Sequence, residues 1–406
     1  MSRFAAFQHR AFRRYFAGQV ISNVGSWLQS LAVTWLVIDL TGRSDRLGVA
    51  VALQFLPLLV LGVPAGVLAD RVDNRRLLLA TSIVSAVLAL VFGLVVSAGD
   101  PSIWVIYGLT FGSGLVLAIE RPAMQALLFQ LVGRDTLPSA VAANSTIISM
   151  SRLVGPALGG VIIASAGIAW CFYANAVSYL VVAAALASIA RRDLVPRPIA
   201  TRDGGGVRAA IAYVRERPEV RRPLLVMVVV GLIVLNFQTT LPSLVKFEFD
   251  RGAGAVGTVM SVSAIGSILG GLYAAGLKSG SRRILGMVLG AFTVVLVAFA
   301  AAPNYAAFLV LSIPLGFASA AFQTIDTVAV QQATEPSMQG RVMALHQMAW
   351  FGTTPLGALF MGWVIQTTSP RVPFVLGATS TFVCFALVMG GGRVRRVEAA
   401  PEWVSR

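Results

Sequence analysis

Five ionisable side chains fall inside long apolar stretches of the sequence, and they are the first candidates for chemistry. They are Glu120, Arg121, Arg152, Asp326 and His346. A charge at the centre of a bilayer costs roughly 2.5–3.5 kcal/mol on insertion scales, so such residues usually serve a functional site or an ion pair. Carboxylates and histidine can carry protons, which makes Glu120, Asp326 and His346 candidates for proton coupling. A structural ion pair, or hydrogen-bonded packing for His346, is the alternative interpretation.

Arg152 is the deepest of the five, about fifteen residues into its apolar stretch, and it needs an acidic partner or a bound ligand. Glu120 is the acid of the preceding stretch, so we expect the two side chains to pair, aided by a kink at Pro122 or by a bridging water. The pair would couple to protons only if it separates in one conformation. Direct contact between Arg152 and a ligand is the second possibility. Asp326 is the fallback for proton coupling.

Amide and indole side chains in the apolar stretches form a second group of candidates. Trp27 and Gln29 cannot lie on one helix face, so at most one of them points into a pocket. Such side chains suit a pocket for large, partly apolar ligands, and hydrogen bonds between neighbouring helices are the alternative. The candidates for such a cavity are Asn23, Trp27, Gln29, Asn144, Asn236, Gln238 and Gln323.

Several common kinds of active site are missing from the sequence. Cys171 and Cys384 both lie in apolar stretches, which argues against a disulfide framework and a cysteine-based metal site. His9 and His346 are the only histidines, so a histidine-based catalytic site is nearly excluded. No phosphate-binding GxxxxGK[ST] loop is present, which argues against ATP as the energy source. We therefore expect no enzyme activity, no metal and no cofactor.

Membrane-spanning helices must position these side chains. The 406 residues are 57% hydrophobic and 12% charged, with a mean hydropathy of +0.80, whereas soluble domains carry about 25% charged residues. Because a span needs about 20 mostly apolar residues, the sequence predicts an all-α membrane protein with twelve spans. Their expected limits are 16–40, 47–69, 76–98, 103–125, 138–165, 169–190, 223–245, 254–277, 283–301, 305–330, 340–366 and 372–390.

The basic residues predict how these helices are oriented. With both termini cytoplasmic, 26 of the 32 Lys and Arg residues fall inside, five outside and one, Arg152, within a span. This asymmetry follows the positive-inside rule. We therefore expect cytoplasmic termini and basic clusters that contact an anionic inner leaflet, and we do not expect nucleic acid as a partner.

One basic loop divides the chain. Residues 191–222 contain nine Arg and four acidic residues. We expect a six-helix bundle over 1–190, this cytoplasmic linker over 191–222, a second bundle over 223–392 and a basic cytoplasmic tail over 393–406. Within the linker, 207–217 has apolar residues at helical spacing, so it is expected to form a short helix on the inner leaflet or to act as a solvated tether.

The two predicted bundles are related in sequence. Arg75-Arg76 recurs as Arg282-Arg283, 207 residues later, and the Pro-Ala-Leu-Gly segment at 156–159 corresponds to Pro-Leu-Gly at 355–357. The order of such matches predicts two parallel six-helix repeats. Repeats of this kind build transporters that rock one half against the other around a site near the middle of the bilayer.

The most specific local motif, GVLADRVDNRR over 66–76, ends the second predicted span. Gly66 would allow close helix approach, and Asp70 could face a neighbouring helix N-terminus. Arg71, Arg75 and Arg76 would anchor the loop to lipid phosphates. The motif resembles the signature of the major facilitator superfamily, with an aspartate in place of the usual turn glycine. An aspartate at this turn resembles the pattern of one branch of the superfamily, the transmembrane secretion effectors, which includes siderophore exporters and macrolide efflux pumps.

The resemblance extends along nearly the whole chain, through segments such as Glu-Arg-Pro-Ala-Met-Gln at 120–125 and Gly-Arg-Val-Met at 340–343. It implies the major facilitator fold and secondary active export of a small, amphipathic molecule, such as a drug, a macrolide or a siderophore, by proton antiport. Gly155-Pro156 is similar to an element of antiporters in this superfamily that is associated with export, and it joins the 66–76 motif as a candidate for conformational control.

Two other functions stay open at this point. The first is a nutrient importer or a lysolipid flippase of the same fold, which differs in the direction of transport. The second is a membrane sensor or assembly factor that does not transport and uses 191–222 as a docking segment. In each case the resemblance implies a multi-pass protein of the bacterial inner membrane. For the exporter we expect a small-molecule cargo, lipid contacts and a monomer.

Overall fold

The computed structural model describes residues 5–195, 206–277 and 280–390, which contain thirteen α-helices. Within these ranges, eleven helical segments, with Pro218–Phe247 counted as one, are long and apolar enough to cross a membrane. The predicted tail, 393–406, lies outside these ranges. In chain order the helices are α1 (Arg10–Thr41), α2 (Ser44–Arg71), α3 (Asn74–Ser97), α4 (Ile103–Ser165), α5 (Ala169–Ala187), α6 (Gly206–Glu216), α7 (Pro218–Ile233), α8 (Phe237–Phe247), α9 (Ala253–Gly276), α10 (Arg282–Ala300), α11 (Tyr305–Ala333), α12 (Gln339–Thr367) and α13 (Val372–Gly390).

The sequence predicts twelve spans and the described part of the structure has eleven long helical segments, because α4 covers two of the predicted spans. Its 63 residues would extend about 95 Å if straight, about three times the thickness of the hydrocarbon core. Gly133 interrupts it with φ 72° and ψ −178°, a conformation that glycine adopts without a steric penalty. Arg121 and Arg152, on either side of Gly133, are close enough to interact electrostatically. The arms 103–132 and 134–165 therefore lie side by side, and the loop predicted between 125 and 138 is helical apart from this turn.

The span predicted over 223–245 is present within Pro218–Phe247, but its helix breaks at Asn236. It begins earlier, at Pro218, stops at Ile233 and resumes at Phe237 as α8. The Asn236 Nδ2 donates to the carbonyl of Leu232 at 2.8 Å, which satisfies an acceptor freed by the break. The side chain fits here because Gly357 of α12 faces it, and a Cβ on that glycine would lie 2.5 Å from Nδ2.

Consecutive long helices and arms alternate in direction, so the bundle has two ends. We name them the Gly42 end, after the turn between α1 and α2, and the Asp73 end, after the turn between α2 and α3. Gly42 has φ 61° and closes α1 in the left-handed conformation. Asp73 caps the N-terminus of α3. The N-terminal half, residues 5–187, and the C-terminal half, residues 218–390, each contain helices that run between these ends.

The two halves repeat one contact at the Asp73 end. Arg75 donates through Nε to the carbonyl of Leu186 at 2.7 Å and through Nη2 to that of Ala187 at 2.8 Å, so it caps the C-terminus of α5. Arg282 donates in the same way to the carbonyl of Met389, 3.0 Å away, at the C-terminus of α13. Basic side chains at helix C-termini satisfy free carbonyls and complement the helix dipole. The sequence match between Arg75 and Arg282 thus corresponds to one structural role.

Glycines bring the two halves into contact at the Gly42 end. In the α2–α12 seam, Gly48 packs on the carbonyl of Ala358, and a Cβ on it would lie 3.3 Å from the Cα of Gly362. In the α4–α9 seam, Gly257 packs in the same way on the carbonyl of Pro156 and 3.3 Å from the Cα of Gly160. In each seam a glycine meets a carbonyl and a second glycine four residues further along, which permits close backbone approach.

The halves separate toward the Asp73 end. Among the described residues, no atom of another element lies within 4 Å of a Cβ placed on Gly62 or Gly66 of α2, or on Gly271 of α9. The expected close helix approach at Gly66 is therefore wrong for this conformation. The close glycine contacts between the halves thus lie at the Gly42 end, and open space surrounds these three glycines toward the Asp73 end.

The helix predicted in the linker is present as α6, and it packs on the C-terminal half. Tyr213 is buried against Val220 and Val342, and its hydroxyl accepts a hydrogen bond from the backbone nitrogen of Glu335 at 3.0 Å. Arg217, which follows α6, pairs with the Glu335 carboxylate at 2.6 Å. A solvated tether is therefore the wrong interpretation for the described part of the linker, since its apolar side faces protein.

Candidate functional site

A cavity of about 370 Å³ lies between the second arm of α4, in the N-terminal half, and three helices of the C-terminal half. Most of its lining side chains are small or polar, Trp350 adds an aromatic surface, and Arg152 is the one charged residue among the described residues that line it. The lining residues are Ser149, Arg152, Ala264, Ser267, Ile268, Gly271, Ala320, Gln323, Thr324, Thr327, Val328 and Trp350.

Arg152 reaches this cavity from the middle of the second arm and lies over an aromatic ring. Its Cζ is 5.2 Å from the centroid of the Trp27 ring on α1. Gly155, one turn further on, lets α1 approach this closely, because a Cβ there would lie 2.5 Å from the Cβ of Trp27. Among the described residues, no acceptor binds the buried Nε of Arg152. The guanidinium is thus held by stacking, and its donors are left for a ligand.

The predicted pair between Arg152 and Glu120 is wrong. Glu120 interacts electrostatically with Arg121 and lies near the hydroxyls of Tyr15 and Tyr179, within the N-terminal half. The charge near Arg152 is Arg121, a second cation. Counting residues from the shared loop gives the depth of a side chain along a helix, whereas its direction around the helix depends on packing. The second possibility in the sequence analysis, that Arg152 contacts a ligand, therefore gains support.

Asp326 and His346 form a pair that the sequence did not predict. His346 Nε2 lies 2.9 Å from Asp326 Oδ2, which links α12 to α11, and both side chains are 0% exposed. Within the described residues, Asp326 Oδ1 and His346 Nδ1 have no hydrogen-bond partner. Cys384 of α13 is the titratable neighbour of Asp326. A buried acid and base in contact can bind and release one proton, which suits the coupling role expected of each residue separately.

The cavity candidates from the sequence are distributed over several places. Gln323 lines the cavity, and the ring of Trp27 stacks against the Arg152 guanidinium. Gln29 accepts a hydrogen bond from Asn175 of α5 at 2.7 Å, so it connects helices within the N-terminal half. Asn23 donates to the carbonyl of Gln19 at 2.8 Å, one turn back on α1.

The remaining cavity candidates do not line this cavity. Asn236 is 3% exposed at the break between α7 and α8, and the half-buried Asn144 and Gln238 are absent from the described lining. Sequence reasoning missed most of the lining, although a signal was present. Positions 264, 267, 268 and 271 of α9, and 320, 323, 324 and 327 of α11, follow i, i+3, i+4, i+7 spacing, which places each set on one helix face.

The 66–76 motif forms the turn between α2 and α3. Asp70 and Arg71 are exposed at the C-terminal end of α2. Asp73 Oδ1 accepts a hydrogen bond from the backbone nitrogen of Arg76 at 3.2 Å, and Oδ2 pairs with Arg191 Nη2 at 2.6 Å. The aspartate at the usual glycine position thus caps α3 and connects this turn to the chain that leaves α5.

The Asp73 cap gives a prediction for stability. Burial raises the pKa of the Asp73 carboxyl, but the hydrogen bonds from Arg191 and the Arg76 backbone outweigh burial and hold that pKa below its ordinary value. The stabilising contribution is therefore present above the unfolded-state pKa of about 3.9 and is lost as the pH falls through the lower folded-state pKa. Asp73→Ala should lower the free energy of unfolding by about 1 kcal/mol at pH 7.

The measurement is thermal unfolding followed by tryptophan fluorescence in detergent, at pH 7 and at the lowest pH at which the protein stays folded. The difference between wild type and Asp73→Ala should shrink as the pH is lowered. Asp135→Ala, at an exposed aspartate beside Gly133, is the matched control. Equal melting temperatures for wild type and Asp73→Ala at pH 7 would show that the cap does not stabilise the fold.

These features define a class of protein. Two helical halves that share a polar and aromatic cavity are typical of transporters, and the family match shows a transporter rather than an enzyme. The chain belongs to the transmembrane secretion effector family of the major facilitator superfamily, which matches residues 1–405. The family predicted from the sequence is confirmed.

Characterised relatives are similar along almost the whole chain. The enterobactin exporter EntS of Salmonella typhi is 26% identical over 410 residues, which cover 97% of this chain and 95% of the relative. Macrolide efflux protein A of Streptococcus pyogenes is 22% identical over 388 residues, or 93% of this chain and 94% of the relative. The crystal structure of the nucleoside transporter NupG superimposes with a TM-score of 0.74 at 14% identity, covering 94% of this chain and 98% of NupG, which shows a shared fold.

Proposed function

We propose that the protein is a secondary active exporter of the bacterial inner membrane, which moves a small amphipathic molecule outward in exchange for protons. The two arms of α4 count as separate spans in this proposal, so each half contributes six spans. The observation that carries it is the cavity of about 370 Å³, which is lined from both halves, while the halves make close glycine contacts at the Gly42 end. A site that opens alternately to each side is what transport by rocking halves requires.

The orientation follows from the distribution of charge. Arg75, Arg76, Arg191 and Arg217 lie at the Asp73 end, so by the positive-inside rule we assign this end and both termini to the cytoplasm. The conformation described is then inward-open, with the cavity accessible to cytoplasmic cargo. The basic residues at this end would contact the anionic inner leaflet. The chain is proposed to act as a monomer without a cofactor.

Proton coupling is assigned to Asp326 and His346. Their contact joins α11, which lines the cavity, to α12, which forms a seam at the Gly42 end. Gain or loss of a proton changes the charge of a pair that is fully buried, and this change can be relieved by a rearrangement between the two helices. The same arrangement would connect protonation to the opening of the seam.

Export is favoured over import by the relatives, since their names describe an exporter and an efflux protein. The same names favour cargo as bulky as a siderophore or a macrolide. The test is the accumulation of a panel of fluorescent amphipathic compounds in cells with and without the protein, in the presence and absence of a proton uncoupler. We expect lower accumulation in expressing cells and loss of this difference with the uncoupler. Higher accumulation in expressing cells would indicate import. If the difference in accumulation between the two kinds of cells persists with the uncoupler, export is not driven by proton antiport.

A further inference from the structure

We infer that the cavity selects cargo with an anionic group, such as a carboxylate, attached to an aromatic or apolar body, and that Arg152 binds the anion. The inference rests on the proposed function, because it assigns the chemical class of the exported molecule. Amphipathic cargo can be an acid or an amine, and the fold alone does not favour either. The inference assigns the acid.

The first argument is the charge of the cavity. Arg152 is the one charged group among its described lining residues, and none of those residues is acidic. Its Nε is buried and has no acceptor among the described residues. The side chain as a whole is half-buried, but a buried donor without an acceptor is unfavourable, and a ligand anion would supply the missing hydrogen bond. A guanidinium presents its donors in a planar fork that matches the two oxygens of a carboxylate.

The surroundings of Arg152 strengthen this preference. Arg121 is close enough to interact with it electrostatically, and Glu120 is the acid that interacts with Arg121. Arg152, Arg121 and Glu120 together carry one net positive charge. An ammonium cargo would meet repulsion near them, whereas a carboxylate would be attracted to both guanidinium groups.

The second argument is the aromatic surface. Trp27 supports the Arg152 guanidinium from one side, at 5.2 Å. Across the cavity, Trp350 stacks on Phe351 with ring centroids 5.4 Å apart and an interplanar angle of 3°, and Arg121 lies 4.9 Å from the Phe351 centroid. An aromatic or apolar body can pack on Trp350 while its anionic group reaches Arg152. The two anchors would therefore bind the two parts of one molecule.

The experiment compares three probes that share one fluorophore and differ in charge: dansylglycine, which is anionic, dansylamide, which is neutral, and dansylcadaverine, which is cationic. Binding to the purified full-length protein is followed by energy transfer from tryptophan to dansyl. We expect dansylglycine to bind about tenfold or more tightly than dansylcadaverine, as a charge-assisted hydrogen-bonded pair predicts. Arg152→Gln should weaken the binding of dansylglycine by a similar factor and leave the affinity for dansylamide nearly unchanged.

Two further variants make the comparison specific. Arg134→Gln removes the same charge from an exposed position at the start of the same arm, and it should keep the wild-type order of affinities. Arg152→Lys should retain part of the preference for dansylglycine. If Arg152→Gln does not fold, the order of the three affinities in the wild-type protein still decides. Equal binding of all three probes, or tighter binding of dansylcadaverine, would overturn the inference.

Failure of this inference is distinguishable from failure of the proposed function. Outward flux of all three dansyl probes at similar rates, without a charge preference in binding, would refute the anion site and leave export intact. Selective binding of dansylglycine that depends on Arg152, without proton-driven flux into inside-out vesicles, would refute export and leave the anion site intact.

Discussion

Valine in place of Gly48 should abolish export while the protein still folds and inserts into the membrane. A Cβ at this position would collide with the carbonyl oxygen of Ala358 and would lie 3.3 Å from the Cα of Gly362. Both obstacles are backbone atoms of α12, which cannot move aside as the tip of a side chain can. The α2–α12 seam could then not close, so the Gly42 end would stay open and the transport cycle would stop.

The closed seam can be measured at Ser243, which is fully buried and accepts a hydrogen bond from the Ser44 hydroxyl at 3.0 Å. A cysteine introduced by Ser243→Cys, with Cys171→Ser and Cys384→Ser removing the native thiols, should react slowly with a maleimide that cannot cross the membrane. With Gly48→Val added, the same cysteine should react rapidly from outside. The increase would show directly that the Gly42 end is open.

Gly62→Val is the matched control for Gly48→Val. It lies on the same helix, but no atom of another described element is within 4 Å of its Cβ position. Labelling of Ser243→Cys in the Gly62→Val protein should stay slow in the conformation described here. Gly257→Val should reproduce the effect of Gly48→Val from the other seam. Export at the wild-type rate by Gly48→Val would contradict the assignment of the seam as a gate.

Asp326→Asn should remove proton-driven export while preserving exchange of cargo down its own gradient. Asparagine keeps the shape of the side chain and a hydrogen bond to His346, but it can no longer share a titratable proton. Because the coupling step is lost and the cavity is unchanged, inside-out vesicles should no longer accumulate cargo on acidification of their interior. Exchange of labelled for unlabelled cargo in the same vesicles should stay close to the wild-type rate.

His346→Gln should be more harmful to stability than Asp326→Asn. It leaves a buried carboxylate without a basic partner, and breaking a buried pair in this way costs about 3–5 kcal/mol. The double variant Asp326→Asn with His346→Gln should regain stability, because two amides can hydrogen bond, but it should not regain proton-driven export. Asp39→Asn, at an exposed position on α1, is the control. If inside-out vesicles with Asp326→Asn still accumulate cargo at the wild-type level, this pair does not couple export to protons.

The elements of the fold that depend on composition and local pattern were predictable. Spans follow from apolar length, and the relation between Arg75 and Arg282 was visible because each of these arginines caps the C-terminus of the last helix in its half. The break at Asn236 was missed because a hydrophobic run of sufficient length predicts a span whether or not its backbone is continuous.

The chemistry of the interior was less predictable, because it depends on the direction of side chains around their helices. Arg152 and Glu120 lie on neighbouring arms, yet they project toward the cavity and toward Tyr15, respectively. Asp326 and His346 lie on consecutive helices twenty positions apart, so their contact depends on the packing of α11 against α12 and not on any local spacing.

The glycine seams also bear on how the two halves depend on each other. Gly48, Ala358 and Gly362 in one seam correspond to Gly257, Pro156 and Gly160 in the other, so one set of contacts occurs twice. The N-terminal half supplies the glycine that meets a carbonyl in the first seam, and the C-terminal half supplies it in the second. Neither half could therefore lose its glycine without disturbing one of the two seams.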